Sequence, residues 1–146
     1  MDKELKDRLE NLLSTQQLGV LSTQYKGNPY ASLVAFAATE DSKHLLFATT
    51  RSTRKYANMT SDSRVAMLID NRSNQTGDFH NAMAVTATGK AEEVEPKEKE
   101  DYLQIFLEKH PHLKDFVSAP SCALLRIRIE TYVLVNRFQK VFELHI

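Results

Sequence analysis

The chain has 146 residues, the size of one domain with one sizeable hydrophobic core, so we expect residues 1–146 to form a single domain. Its 19 basic and 19 acidic residues cancel, which leaves no overall charge to attract nucleic acid or an anionic membrane surface. The single cysteine, Cys122, excludes an internal disulfide bond and a multi-cysteine metal site.

We also expect a cytoplasmic protein without a membrane segment. Residues 1–10 are charged throughout, unlike the apolar segment of a signal peptide. No apolar run approaches the ~20 residues that a membrane-spanning helix needs.

The first part of the chain predicts one helix and two strands. Leucines recur at helical spacing within residues 2–14, which indicates an amphipathic helix over one end of the domain. A strand at residues 18–23, a turn at 25–29 and a longer strand at 30–39 follow. The longer strand is apolar and poor in large side chains, as in a core strand or in one that a flat molecule approaches closely. The residues alone favour an ordinary core strand.

The junction between a predicted strand at residues 44–49 and a predicted helix at 54–59 has the residues of an anion site. Ser52 can act as the N-cap of this helix. A helix start has unpaired backbone N–H groups and a partial positive charge, and both favour a bound phosphate. Side chains that could donate further hydrogen bonds cluster there, namely Thr49, Ser52, Thr53, Arg54 and Lys55. The alternative is that the basic residues simply form a solvated helix face.

The middle of the chain predicts two strands around a polar loop. The strands cover residues 64–70 and 82–94, and Gly89 marks a bend or bulge in the second. Residues 71–81 between them are polar and show no periodicity. Loops of this length are often functional or mobile, and the role of this one stays open.

A helical region follows the second of these strands. Pro96 suits the first turn of a surface helix over residues 97–110, and a shorter helical piece is expected at 111–118. His110 and His112 stand at the helix end, where we expect them to meet solvent or to cap carbonyl groups.

The end of the chain predicts two more strands. Residues 122–135 alternate between apolar and polar, and one face collects Leu125, Ile127, Ile129 and Val133. After a turn at 136–137, residues 138–145 offer a last strand. Six or more strands with helical connections favour a small, mainly β barrel with peripheral helices.

Other candidate catalytic or metal-binding residues form no recognisable constellation. No two of the five histidines have metal-ligand spacing on a predicted helix with a third ligand nearby, so we predict no metal site and assign no catalytic residue. Cys122 is expected to be a small buried hydrophobe. His80 is either an exposed loop residue or a group that hydrogen-bonds a substrate or ligates haem.

The segment from Phe47 to Lys55 resembles the phosphate-binding signature of the pyridoxamine 5′-phosphate oxidase-like, FMN-binding split-barrel superfamily. In that superfamily a strand ending in Tyr-Thr-Asn is followed by Ser-Arg-Lys at a helix start. The matching residues here are Phe47, Ala48, Thr49 and Thr50, then Thr53, Arg54 and Lys55. The resemblance implies an antiparallel split β-barrel of six to seven strands with peripheral helices. It also implies a homodimer with FMN at the subunit interface.

The same resemblance implies which residues hold FMN. The phosphate-binding positions are Thr49, Arg54 and Lys55, joined by the hydroxyl groups of Ser52 and Thr53. The strand beside the flavin ring includes Ser32, Leu33, Val34 and Ala35. Contacts from the second chain would come from Asn81 and Met83.

Several departures from the superfamily pattern argue against vitamin B6 phosphates as the substrate. Ser32 and Ala37 stand where true oxidases have basic residues, and residues 136–146 lack their C-terminal arginine and histidine pattern. The resemblance therefore implies an FMN-dependent oxidoreductase with a different small-molecule redox substrate. The alternatives are a non-catalytic flavin- or haem-binding module (a carrier, store or sensor) and an F420-dependent reductase.

Overall fold

One antiparallel sheet, curled into a split barrel, dominates the computed structural model, which describes residues 2–136 and 140–146. The described strands are β1 (Leu18–Tyr25), β2 (Asn28–Ala35), β3 (Ala37–Ala38), β4 (His44–Thr50), β5 (Arg64–Asp70), β6 (Met83–Glu93), β7 (Cys122–Asn136) and β8 (Lys140–His145). Their spatial order is β2-β1-β5-β6-β7-β4-β3, and β8 pairs with β7. The predicted mainly β split barrel is confirmed.

Helices surround this sheet, also as predicted. They are α1 (Lys3–Thr15), α2 (Arg54–Ser61), α3 (Asp78–Asn81), α4 (Pro96–Lys109) and α5 (Lys114–Ser118), with a 3-10 turn at Pro111–Leu113 before α5. Among the described residues, none of the helices has both the length and the apolar character needed to cross a membrane.

The barrel interior is built from residues that face each other across the strands. Leu21, Met67, Ala87 and Tyr132 stand opposite one another on β1, β5, β6 and β7, and all four are fully buried. Directly paired residues share a face of the sheet, so their neighbours along each strand point outward. Helix α1 adds its buried leucines to this core, as its periodicity predicted.

The predicted strand at residues 30–39 is in fact two strands. The chain changes partner at Phe36, because β2 pairs with β1 whereas β3 pairs with β4. Phe36 lies fully buried at the break, where its ring fills the core. This break raises the number of strands in the described residues to eight. The preceding turn is also tighter than predicted, since Lys26 and Gly27 have positive φ and Asn28 already belongs to β2.

A β-bulge in β7 places Val133 on the face opposite to the predicted one. Thr88 pairs with Thr131 but Gly89 pairs with Ile129, so Glu130 is an extra residue in β7. The extra residue reverses the alternation, and Val133 therefore faces away from the side that buries Ile129. The pairing is irregular at Gly89, where a bend or bulge was predicted, but the extra residue lies in β7 and not in β6. The predicted turn at 136–137 and the start of the last strand at 138 lie outside the described residues in part, and β8 is described from Lys140.

Strand β4 is buried on both faces, which explains its continuous apolar run. Its inner face contributes Leu45 and Phe47 to the barrel core. Its outer face contributes Leu46 to a second cluster formed with Phe106 of α4 and Val117 of α5. The region after α4 thus packs back on β4 and brings α5 close to the end of that strand.

Candidate functional site

A groove of about 320 Å³ lies where the end of β2 meets the start of α2, and we call it the β2–α2 groove. It is lined by Leu33, Val34 and Ala35 from β2, Ala48, Thr49 and Thr50 from β4, Thr53 and Lys55 around the start of α2, and Phe106, Leu113 and Phe116 from the α4–α5 region. Six of the eleven residues predicted from sequence therefore meet in one place.

The start of α2 is held against the end of β4 by hydroxyl groups. Thr53 is the N-cap residue, and its hydroxyl oxygen accepts a hydrogen bond from the backbone N–H of Tyr56 (3.3 Å). The hydroxyl of Thr49, a residue only 2% exposed, lies 2.8 Å from that of Thr53. The prediction that Ser52 caps the helix is wrong. The chain makes one more turn, with the N–H of Thr53 donating to the carbonyl of Thr50, before the helix begins.

The three basic residues at this junction have different surroundings. Lys55 lines the groove. The guanidinium of Arg54 lies over the Tyr30 ring, 5.1 Å from its centroid, and does not line the groove. Arg51 donates to the carboxylate of Glu93 (2.6 Å) and to a backbone carbonyl, and it holds the pKa of Glu93 below its usual value. Lys55 is therefore the cation best placed to meet a ligand in the groove.

Backbone groups at the same end of α2 add to its affinity for anions. In an α-helix the first N–H groups have no carbonyl partner within the helix. The hydroxyl oxygen of Thr53 accepts a hydrogen bond from the backbone N–H of Tyr56. The backbone N–H groups of Arg54 and Lys55, the first two residues of the helix, are then left to bind a ligand. Together with the Lys55 ammonium, they form a suitable site for one phosphate group.

The β2 residues divide between the groove and the barrel interior. Ser32 pairs with Leu21 of the core, so its side chain points inward and does not line the groove. Its hydroxyl is enclosed and has no hydrogen-bond partner among the described residues. Leu33 faces outward and is 64% exposed. Strand β2 thus contributes its backbone and small or aliphatic side chains to the groove.

Asn81 and Met83 lie elsewhere on the same chain. β6, which begins at Met83, is separated from β2 by β1 and β5. Three strand spacings correspond to roughly 14 Å. Neither residue lines the β2–α2 groove.

Of the histidines singled out in the sequence, His110 is placed differently from the expectation. His80 is exposed at the end of the polar loop, within α3. His110 was expected to meet solvent or to cap the helix, but it is 1% exposed and its Nε2 lies 2.7 Å from the carbonyl oxygen of Phe36. The strand break at Phe36 leaves that carbonyl without a ladder partner, and the imidazole supplies one. Cys122 is buried and free, as predicted.

Sequence reasoning missed the apolar wall of the groove. Phe106 lies within the helix predicted at residues 97–110, but nothing in the sequence connects it with the phosphate site. Leu113 and Phe116 lie in short helical pieces that have no clear periodicity. They reach the groove only because α4 and α5 pack on β4.

A curled antiparallel barrel with peripheral helices, and a groove between a strand and a helix start, is the architecture expected of the pyridoxamine 5′-phosphate oxidase-like superfamily. The family model described as pyridoxamine 5′-phosphate oxidase matches residues 5–136, and the chain belongs to this family. No curated protein sequence matches the chain.

Solved structures share the fold at low sequence identity. A FAD-binding protein from Mesorhizobium loti is 21% identical with a TM-score of 0.71, covering 88% of this chain and 90% of that one. A putative pyridoxamine 5′-phosphate oxidase from Listeria innocua is 20% identical with a TM-score of 0.70, covering 90% and 98%. A heme binding protein from Mycobacterium smegmatis is 17% identical with a TM-score of 0.81, covering 92% of this chain but 55% of that one. The TM-scores show a common fold.

Proposed function

We propose that the protein binds FMN in the β2–α2 groove and acts as a small FMN-dependent oxidoreductase on a small-molecule redox substrate. One observation carries this proposal. Thr49, Thr53 and Lys55 line the same groove as residues 33–35 of β2, so an anion site adjoins a surface of small and aliphatic groups. A ligand with a phosphate at one end and a flat apolar ring at the other matches that combination.

The residues present fit FMN. The N–H groups at the start of α2, the Thr49 and Thr53 hydroxyls and the Lys55 ammonium would hold the phosphate. Arg54 at the same helix start would supply a second positive charge. FMN supplies the redox chemistry when it is bound, and the chain binds it, orients it and limits the access of water.

The groove favours a flavin over haem. The Mycobacterium smegmatis relative is described as a heme binding protein, so haem remains an alternative ligand. Haem iron in proteins is commonly held by an axial side chain such as histidine. None of the described histidines lines the β2–α2 groove, whereas a flavin needs no such ligand. The deazaflavin F420 also needs none, and the mass of the bound molecule separates it from FMN.

We further propose a homodimer in which Asn81 and Met83 of the second chain approach the cofactor. In support, an uncharged row crosses the outer face of the sheet through Leu33, Val20, Leu68, Thr86 and Val133. Leu33 is 64% exposed in the single chain and also lines the groove. A contact through this face would cover the uncharged row and place a second chain beside the site. Light scattering on the purified protein tests the dimer.

Reconstitution with FMN tests the binding site. The protein should take up FMN, with flavin absorbance bands and FMN released on denaturation. Replacing both Arg54 and Lys55 by alanine should abolish uptake, whereas the matched change of the exposed Lys97 and Lys140 should not. Stoichiometric FMN in the first variant would disprove the assigned phosphate site.

Reduction of the bound FMN separates an enzyme from a carrier, store or sensor. Anaerobic addition of a reduced nicotinamide nucleotide should bleach the flavin absorbance in an oxidoreductase that uses this donor. A bound flavin that is not reduced by this nucleotide or by other small reductants would instead favour the non-catalytic module.

A further inference from the structure

Two segments that line the β2–α2 groove are joined by His110, which does not line the groove itself. Its Nε2 donates to the carbonyl oxygen of Phe36 (2.7 Å), and Phe36 directly follows the groove residues Val34 and Ala35. Its imidazole also packs on Phe106 of the apolar wall, with the ring centroids 5.0 Å apart. One buried side chain therefore ties the end of β2 to the helix that forms part of the groove.

The strand break at Phe36 makes this link necessary. The chain changes its partner strand there, so the backbone groups of Phe36 lie outside the ladders of β2 and β3. The N–H of Phe36 makes a long hydrogen bond to the carbonyl of Gln17 (3.4 Å), and His110 serves the carbonyl. The Lys109 ammonium lies 3.8 Å from the centroid of the Phe36 ring and donates to the carbonyl of Leu13. The end of α4 thus holds the break through both the backbone and the ring of Phe36.

We propose that His110 is a positioning residue of the cofactor site, which fixes the shape of the β2–α2 groove through Phe36 and Phe106 and supports tight FMN binding only while its imidazole is neutral. This inference rests on the proposed binding of FMN in this groove. Because His110 does not line the groove, it acts on the ligand through the backbone of β2. A binding site is sensitive to displacements of its supporting backbone of well under 1 Å, roughly 0.5 Å.

A positive charge on the buried imidazole would oppose this arrangement. Burial outweighs the hydrogen bond to Phe36 and lowers the pKa of His110, so the folded chain holds it neutral near neutral pH. Two titratable groups face it, Lys109 on the same helix and His112 on the 3-10 turn, and both oppose a further positive charge. No carboxylate among the described residues compensates them. Protonation therefore favours conformations in which the imidazole reaches water and the Phe36 carbonyl loses its donor.

FMN affinities of two His110 variants at about pH 8 test the link. His110→Leu keeps an apolar side chain but leaves the Phe36 carbonyl without a donor, so it should weaken FMN binding by about tenfold. His110→Gln restores a donor that cannot titrate, and its FMN affinity should lie within about threefold of wild type. His112→Gln is the matched control, because His112 is exposed and lies outside the groove, and its affinity should stay within about twofold.

The pH profile separates positioning from a purely structural role. Between about pH 7.5 and pH 5, FMN binding by wild type should weaken at least about threefold more than binding by His110→Gln, which corresponds to a threefold fall in the binding-competent fraction. The FMN phosphate also titrates, near about pH 6, but it acts equally in both proteins and cancels in the ratio of affinities. Circular dichroism at each pH gives the folded fraction to which the affinity refers.

Two results would overturn the inference. One is the same pH profile of FMN affinity in wild type and His110→Gln, and the other is a folded His110→Leu that binds FMN as tightly as wild type does. If His110→Leu does not fold, the comparison of the pH profiles still decides. Absence of FMN binding by wild type would refute the proposed function itself, so the two failures are distinguishable.

Discussion

The hydroxyl oxygens of Thr49 and Thr53 lie 2.8 Å apart and join the end of β4 to the start of α2. Thr53 uses the same oxygen to cap the helix. One side chain therefore fixes both the direction of α2 and its distance from the strand. Because both residues also line the β2–α2 groove, this part of the proposed phosphate site is formed by contacts within the chain itself.

Loss of this cap should destabilise the protein. Thr53→Val keeps the shape of the side chain but removes the hydroxyl, and should lower the free energy of unfolding by about 1 kcal/mol. Thr53→Ser keeps the hydroxyl and should therefore retain most of the wild-type free energy of unfolding. Ser52→Ala is the control, since Ser52 is exposed and does not cap α2. Urea unfolding measures all three, and an equal loss for Ser52→Ala would contradict the assigned cap.

Gly89 is required by the close approach of β7. A Cβ at this position would collide with the carbonyl oxygen of Arg128, a backbone atom that cannot move aside without disturbing the bulge. Gly89→Ala should therefore lower the free energy of unfolding by about 3 kcal/mol. Gly77→Ala is the matched control, because a Cβ there would meet only ordinary contacts. Denaturant midpoints near that of wild type for both variants would refute this account of the bulge.

His110 should make stability depend on pH. A carbonyl oxygen can only accept, so Nε2 donates to Phe36, and burial lowers the pKa of His110 below 6.5. Below that pH the unfolded chain binds a proton that the folded chain excludes, so stability falls as the pH drops towards the folded-state pKa. In urea unfolding between about pH 7 and pH 5, wild type should lose more stability than His110→Gln. Burial also lowers the pKa of His44, but His44 is present in both proteins and acts equally in them. Equal losses of stability with falling pH in wild type and His110→Gln would therefore rule out His110 as a source of the pH dependence.

Ser32 should prove structurally dispensable. Its enclosed hydroxyl has no hydrogen-bond partner among the described residues, and burying such a group costs stability. Ser32→Ala should leave the free energy of unfolding unchanged or raise it by up to about 1 kcal/mol. The affinity for FMN should not change, since Ser32 faces the barrel interior. A clear loss of FMN affinity with normal stability would contradict this account and show that Ser32 contributes to FMN binding.

The strand and helix of the anion site could be predicted because they are local. Residues 44–59 carry the buried strand, the hydroxyl groups and the cations in one continuous stretch. The cap was displaced by one residue, from Ser52 to Thr53, because it depends on a turn closed by a backbone hydrogen bond that side-chain types do not reveal.

The apolar wall of the groove and the buried His110 could not be predicted, because both arise from contacts between distant segments. Phe116 and Thr49 line the same groove only because α4 and α5 pack back on β4. His110 is buried because a strand breaks at Phe36, more than 70 residues earlier in the chain. Val133 was assigned to the wrong face because the bulge that reverses β7 is set by its pairing with β6.

The affinities for FMN and for riboflavin, which lacks the phosphate, measured in wild type and in Lys55→Ala, test the central claim most directly. Removing a charge-assisted contact to the phosphate should weaken FMN binding by roughly ten- to a hundredfold. Riboflavin binding should stay within about twofold of wild type, because Lys55 has no phosphate to meet there. Equal weakening of both ligands, or no change for FMN, would contradict a phosphate site at the start of α2.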